Sequence, residues 1–209
     1  MTTRFGFLLF DDFEDLDFAG PWEMIAVWSK QFNGPHELCL ISEQGHDVTS
    51  AKGLTLKTHY SLATCPQLDY LLIPGGQGTR REVNNQKLLA FIQTQANDCQ
   101  HILSVCTGSF LLQAAGVLQH KKATTHWASM DRLRVFTDVT VVEERFTRDG
   151  NIWTSAGVSA GIDMALAFIA ALAGEHTAGD VQLFAEYYPQ PGIYPINAGH
   201  YPNYVKRET

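Results

Sequence analysis

The chain has 209 residues, of which 45% are hydrophobic and 18% are charged, a balance typical of one globular domain and not of a disordered protein. The formal net charge is −7. A nucleic-acid-binding surface needs a positive field, so we expect no nucleic acid as a partner. The longest apolar stretch, 164–173, is about half of what a bilayer crossing needs, so no membrane partner is expected either.

The first residues and the cysteines indicate the compartment. The apolar run 5–10 is too short for a signal peptide and no cleavage site follows it. The four cysteines have neither CxxC nor metal-ligand spacing, so we expect reduced thiols and no metal. The sequence therefore predicts a cytoplasmic protein with a single domain over 1–209, in which the proline-rich stretch 189–209 is an extended tail.

Strand and helix patterns alternate along most of the chain. Taken in order, the predicted elements are a strand at 4–10, a helix at 21–30 with Pro21 in its first position, a strand at 37–42, a hairpin or a pair of short edge strands at 47–50 and 54–59, a strand at 69–73, a helix at 88–97, a strand at 101–105, a helix at 107–118, a short strand at 123–125, a helix at 127–135, strands at 139–145 and 151–155 with a turn at 148–151, and a helix at 162–173. This alternation predicts an α/β fold with a doubly wound, mostly parallel sheet.

Cys106 follows an apolar strand and directly precedes a helix. Ligands of open parallel sheets bind beyond the carboxyl ends of the strands, which places this cysteine in the expected crevice. The helix N-terminus, with its unpaired N–H groups and partial positive charge, is expected to lower the pKa of the thiol. Cys106 is the candidate nucleophile, although a buried structural cysteine is the commoner fate of a lone Cys.

Two further strand ends carry candidate site residues. Gly75 and Gly76 follow the strand at 69–73, where their N–H groups, together with that of Thr107, could form an oxyanion hole. Asp17 lies between two apolar residues just ahead of the predicted helix, so its side chain is expected to point inward. A carboxyl group desolvated beside the thiol would have a raised pKa and could transfer protons.

His126 and Ser159 are weaker candidates. A histidine 20 residues after the cysteine could activate the thiol as a base, or it could be a packed wall residue. Ser159 stands in a literal G-x-S-x-G sequence at 157–161, the pattern of a hydrolase nucleophile. Too few residues follow for the remaining catalytic loops in their usual order, so capping of the next helix is the preferred interpretation of Ser159.

Seven segments together resemble the ThiJ/PfpI superfamily, and within it the isonitrile hydratases: 6–10 (GFLLF), 16–21 (LDFAGP), 73–76 (IPGG), 104–109 (SVCTGS), 114–118 (AAGVL), 123–127 (ATTHW) and 157–163 (GVSAGID). The resemblance implies a flavodoxin-like three-layer sandwich with a cysteine nucleophile elbow, usually dimeric. It places the nucleophile at Cys106 and the other important hydratase residues at Thr107 and Asp17.

The resemblance also sets the expected reaction. It implies cysteine-dependent hydration of an isonitrile to an N-substituted formamide, with Asp17 as acid and base and without metal or organic cofactor. Covalent attack by Cys106 and direct addition of water remain alternative routes. Thr107 stands where protease-like members have His, which argues against a peptidase. A glyoxalase, deglycase or amidase-like hydrolase, or a redox- or ligand-sensing module, remains an alternative. Regulators of this superfamily carry a helix-turn-helix module, for which the chain is expected to be too short.

Overall fold

The computed structural model describes residues 2–189 and Tyr204. Its centre is a seven-stranded sheet with the order β10-β11-β7-β6-β1-β2-β5, in which every neighbouring pair is parallel except β10 and β11. These strands are β1 (Arg4–Leu8), β2 (Glu37–Ser42), β5 (Tyr60–Ser61), β6 (Tyr70–Ile73), β7 (His101–Val105), β10 (Phe146–Asp149) and β11 (Ile152–Ser155). Two small pairs lie beside it, β3 (Val48–Thr49) with β4 (Thr55–Leu56) and β8 (Lys122–Ala123) with β9 (Thr140–Val141).

Helices flank this sheet and complete the flavodoxin-like α/β sandwich. They are α1 (Asp15–Gln31), α2 (Thr79–Glu82), α3 (Gln86–Asp98), α4 (Gly108–Ala114), α5 (Met130–Arg134), α6 (Ala160–Ala173) and α7 (Glu175–Phe184), with a 3₁₀ turn at Trp127–Ser129. Helix α1 packs on α6, and α7 packs on both, whereas α3 packs on α4 and β7. No described helix is long and apolar enough to span a bilayer.

The central strands are buried on both faces, which explains why they appear in the sequence as continuous apolar runs. Phe5 and Phe7 of β1 are fully buried and stack with ring centroids 4.8 Å apart. Phe168 of α6 meets the edge of the Phe5 ring, so the helix layer is joined to the middle of the sheet. This core fixes the carboxyl ends of β1, β6, β7 and β11 relative to one another.

The predicted start of the first helix is wrong. Helix α1 begins at Asp15, and Pro21 lies inside it instead of at its first position. Two acidic residues in the first turn, Asp15 and Asp17, favour a helix start there because they face the positive end of the helix dipole. Pro21 is accommodated at a close approach of α1 to α6, where its ring lies against Gly161. Asp17 is therefore held in a helix and not in a loop.

Several other boundaries also differ from the prediction. The helix expected over 107–118 is shorter, since α4 ends at Ala114. Of the strand expected over 139–145 only β9 forms, and the turn expected at 148–151 begins later because β10 extends to Asp149. A two-residue turn closes the β10–β11 hairpin, and its Gly150 has a φ of 63°, which suits glycine. Helices α2 and α7 were not anticipated. The tail expected over 189–209 falls outside the described residues apart from Pro189 and Tyr204.

Candidate active site

Cys106 occupies a sharp turn between β7 and α4. Its φ is 56°, a left-handed conformation that few residues other than glycine adopt. Hydrogen bonds hold the turn at both the N–H and the carbonyl of Cys106. The Cys106 N–H lies 3.1 Å from the Ser155 carbonyl oxygen, and the Cys106 carbonyl accepts hydrogen bonds from the hydroxyls of Thr125 at 2.9 Å and Ser109 at 3.1 Å. Such strain, maintained by surrounding hydrogen bonds, is typical of functional positions.

Asp17 reaches the same place from the first turn of α1. Its side chain is fully buried, as expected. One carboxyl oxygen accepts the N–H of Gly75 at 2.9 Å, and the other accepts the N–H of Val158 at 3.0 Å. Burial raises the pKa of Asp17 to about 7, against the opposing effect of these two hydrogen bonds. The group is therefore poised to gain or lose a proton near neutral pH.

The Cys106 thiol and the Asp17 carboxyl group lie close enough for each to affect the pKa of the other. Burial raises the pKa of Cys106 above its usual value, and the negative charge of Asp17 raises it further. The Thr107 N–H and hydroxyl lower it, but by less. The expectation of a lowered thiol pKa is therefore wrong, because desolvation and the neighbouring carboxylate outweigh the helix N-terminus. When the two groups together carry one proton, that proton resides on the sulfur of Cys106, because the thiol has the higher pKa.

Gly75 and Gly76 do not offer their N–H groups to the cleft. The Gly75 N–H is donated to Asp17, and the Gly76 N–H is donated to the Thr107 hydroxyl oxygen at 2.9 Å. The expectation that Gly75 and Gly76 contribute to an oxyanion hole is therefore wrong, because both N–H groups already have acceptors within the protein. Instead, the two glycines hold the side chains of Asp17 and Thr107 in place. Thr79 adds to this network, since its hydroxyl donates to the Gly76 carbonyl at 2.7 Å and lies 3.2 Å from the Thr107 hydroxyl.

Gly75→Ala is expected to disrupt this arrangement. A β-carbon at Gly75 would lie 2.5 Å from the Thr107 nitrogen and 2.8 Å from the Asp17 carboxyl oxygen. We expect a loss of about 1–3 kcal/mol in the free energy of unfolding, as for other overpacked sites. Urea unfolding measures it, with Gly179→Ala as control because nothing lies within 4 Å of that position in α7. Equal stability of the two variants would contradict the close approach.

Thr107→Val and Thr107→Ser separate the hydroxyl of Thr107 from its methyl group. Valine keeps the shape but leaves the partly buried Gly76 N–H without its acceptor, which costs about 1 kcal/mol. Serine retains the acceptor, so a smaller loss is expected. Urea unfolding of both variants measures the difference, and a serine variant as unstable as the valine variant would show that the methyl group matters instead.

His126 borders the cleft but does not contact the thiol. Its Nδ1 accepts the N–H of Ala128 at 3.2 Å, and its ring packs against Gly157. Burial lowers the pKa of His126, so the ring is neutral near pH 7. No hydrogen bond joins His126 and Cys106, both of which lie in the described part of the chain. The titratable group whose charge raises the pKa of the Cys106 thiol is Asp17.

The G-x-S-x-G segment contributes a different residue from the one the pattern suggests. Ser159 precedes α6 at the N-cap position, but its side chain makes no capping hydrogen bond, so that part of the expectation is wrong. Its hydroxyl oxygen lies 3.2 Å from a guanidinium nitrogen of Arg145 instead. Val158 is the residue that acts on the site: its φ of 55° is rare for a β-branched residue and aims its N–H at Asp17.

A cleft of about 270 Å³ opens above these groups. It is smaller than the ~300–1,000 Å³ typical of pockets for drug-sized ligands, so it suits a small molecule. Cys106 and Thr107 lie at its base, and polar side chains dominate its walls. The lining residues are Glu14, Gly76, Gln77, Arg80, Cys106, Thr107, His126, Ala128, Ser129 and Val158.

A family model described as "DJ-1/PfpI family" matches residues 3–171 of the chain. The chain belongs to the DJ-1/PfpI family. Isonitrile hydratase from Pseudomonas putida is 40% identical over 199 residues, a match that covers 95% of the chain and 83% of that protein. The regulator GbdR from Pseudomonas aeruginosa is 30% identical over 78% of the chain but only 45% of its own length.

Solved structures of the family carry the same fold. A ThiJ/PfpI family protein from Pseudomonas syringae superposes with a TM-score of 0.84 at 33% identity, covering 96% of the chain and 80% of that structure. The DJ-1/PfpI assignment and the flavodoxin-like fold expected from the sequence are thus confirmed.

Sequence reasoning missed three residues of the site: Val158, Thr79 and Arg80. A signal for Val158 was present, since it lies just beyond the carboxyl end of β11, where ligand sites of parallel sheets are found. The G-x-S-x-G pattern drew attention to the serine beside it. Thr79 and Arg80 lie on α2, a four-residue helix too short to produce a periodic pattern.

Proposed function

We propose that the chain hydrates an isonitrile, R–N≡C, to an N-substituted formamide, R–NH–CHO, with Cys106 as nucleophile and Asp17 as acid and base. The observation that carries the proposal is the buried Asp17 carboxyl group, which is held by the N–H groups of Gly75 and Val158 close to Cys106, a thiol that lines a small cleft. The similarity to an isonitrile hydratase over 95% of the chain supports the substrate class. No step requires a metal or an organic cofactor.

The first step follows from the protonation state of the pair. The Asp17 carboxylate takes the proton of the Cys106 thiol while sulfur attacks the terminal carbon of the isonitrile. This carbon accepts both a nucleophile and a proton, so Asp17 then delivers its proton to the same carbon. The product is a thioimidate, R–N=CH–S, bound to Cys106. A pKa of Asp17 of about 7 suits this transfer, since general acid–base catalysis is most efficient near the working pH.

The second step consumes one water molecule. Asp17 takes a proton from the water as its oxygen attacks the thioimidate carbon, and the nitrogen receives that proton. Collapse of the resulting adduct breaks the carbon–sulfur bond, returns the hydroxyl proton to sulfur and releases the formamide. We assign the binding of this water to Thr107, whose hydroxyl is held by Gly76 and Thr79, and neutral His126 lines the same cleft.

The direct test is incubation of the purified protein with cyclohexyl isocyanide. Nuclear magnetic resonance should show N-cyclohexylformamide accumulating at a rate proportional to protein concentration. Intact-mass spectrometry after rapid acid quenching should show a fraction of the chain heavier by one isonitrile, which reports the thioimidate. Absence of the formamide would overturn the proposal, whereas formamide without the adduct would favour direct addition of water.

Glyoxal chemistry and sensing remain the alternatives expected from the sequence. The same preparation should be offered methylglyoxal, since lactate formation that depends on Cys106 would favour a glyoxalase. A sensing role through oxidation of Cys106 is disfavoured by its raised pKa, because the thiolate is the oxidisable form. A homodimer and a cytoplasmic location stay predictions from the resemblance and the composition.

A further inference from the structure

Arg80 differs from the other charged residues around the cleft. It lines the cleft together with Cys106, and its exposed side chain forms no hydrogen bond or ion pair with the described residues. Glu14, the other charged residue of the lining, is paired with Lys52 at 2.8 Å. A free cation beside the nucleophile of a protein whose net charge is −7 creates a local anion-attracting site.

The neighbouring Arg81 differs from Arg80 because its side chain has partners within the protein. The Arg81 side chain bonds to Glu82 at 2.7 Å, to the Asp12 carboxylate at 3.4 Å and to the Asp11 carbonyl at 3.0 Å. Consecutive residues of a helix point about 100° apart, so Arg81 faces the 11–12 segment and Arg80 the cleft. Arg81 thus has a structural role, which Arg80 lacks.

The backbone under Arg80 is fixed relative to the catalytic groups. Thr79, the residue before it, bonds to the Gly76 carbonyl at 2.7 Å and lies 3.2 Å from the Thr107 hydroxyl. The base of the Arg80 side chain is therefore anchored to the same network that orders Cys106. A guanidinium held in this way can recognise a carboxylate through two parallel hydrogen bonds.

The geometry of an isonitrile directs its substituent toward this cation. The C≡N–C unit is linear, so a substrate whose terminal carbon meets Cys106 projects its R group away from the base of the cleft, toward the mouth. We propose that Arg80 binds a carboxylate on the R group, so that the preferred substrates are isonitriles derived from small carboxylic acids. This inference rests on the proposed function and names the class of its substrate.

The test compares isocyanoacetate with its ethyl ester, which lacks the charge. In wild type, kcat/KM should be higher for the acid. In Arg80→Met, the ratio of kcat/KM for acid over ester should fall by about 10- to 100-fold, the effect of losing a charge-assisted bidentate contact. Arg80→Lys should retain part of the ratio. Arg134→Met removes the same charge from a surface pair with Asp131 outside the cleft and should leave the ratio as in wild type.

A binding measurement separates failure of this inference from failure of the proposed function. N-formylglycine, the hydration product of isocyanoacetate, and its ethyl ester are titrated calorimetrically into wild type and Arg80→Met. Tighter binding of the acid that disappears in Arg80→Met supports the anion site even if no isonitrile is hydrated. Turnover of both isonitriles with the same acid-to-ester ratio in wild type and Arg80→Met would overturn the inference and leave the hydratase proposal standing.

Discussion

Cys106→Ala should lower kcat/KM for isonitrile hydration by at least about 1,000-fold, the scale of effect seen when a nucleophile is removed from its catalytic group. In the proposed reaction the thiol forms the bond to carbon, and no other described cysteine lines the cleft. Cys106→Ser should be nearly as inactive, because a serine hydroxyl beside Asp17 is far harder to deprotonate than a thiol. Formamide production, followed by nuclear magnetic resonance, measures both variants.

Cys65→Ser is the matched control for Cys106. Cys65 is a half-buried thiol outside the cleft, and burial raises its pKa to about 11, so its loss should leave turnover as in wild type. Because Cys106 is buried, unfolding midpoints of all three variants establish that they remain folded. A folded Cys106→Ala protein with a tenth or more of wild-type activity would show that water adds directly and that the thiol only assists.

Strands were predictable from the sequence because the central ones are buried on both faces. β2 and β7 begin and end at the predicted residues, and most residues of both strands are apolar. Helix boundaries were harder. The signal of Pro21 as a helix start was outweighed by tertiary packing, since the Pro21 ring fits against Gly161 where α1 meets α6. No pattern within either helix reveals that contact.

The sequence allowed a prediction of which loops meet at the site, but not of what each side chain does there. Cys106, Asp17 and Gly75 follow or flank strands whose carboxyl ends share one edge of the sheet, so their convergence followed from topology. The sign of the pKa shift at Cys106 depends on burial and on the distance of a carboxylate, neither of which the sequence contains. Likewise, the Gly75 N–H could have faced a substrate, and only the fold shows that the Asp17 carboxyl group accepts its hydrogen bond.

The strained backbone conformation of Val158 has a consequence for the chemistry of the site. Two residues of the site other than glycine have positive φ values, Cys106 at 56° and Val158 at 55°. The first turns a thiol toward the cleft, and the second turns an N–H toward Asp17. Both lie just after strands that pair with each other in the sheet, β7 and β11, so one structural unit positions the proposed nucleophile and orients its proposed proton acceptor.

Asp17→Asn should affect turnover and thiol reactivity in opposite directions. Without the carboxylate there is no base for the thiol proton and no acid for carbon, so kcat/KM should fall by about 100- to 10,000-fold. The negative charge that raises the pKa of Cys106 is lost at the same time. The thiolate fraction should therefore increase, and alkylation of Cys106 by iodoacetamide at pH 7.5 should be faster than in wild type, with Cys106→Ser as the blank.

The pH dependence of wild type completes the assignment of Asp17. The reactive state needs one proton shared by Cys106 and Asp17. As pH falls through the Asp17 pKa of about 7, the carboxylate gains a second proton and the base is lost. We therefore expect kcat/KM to rise with pH to a plateau, with an apparent midpoint near 7 that belongs to the pair. A midpoint near 4, the ordinary value for an aspartate, or slower alkylation of Asp17→Asn would show that Asp17 is only structural.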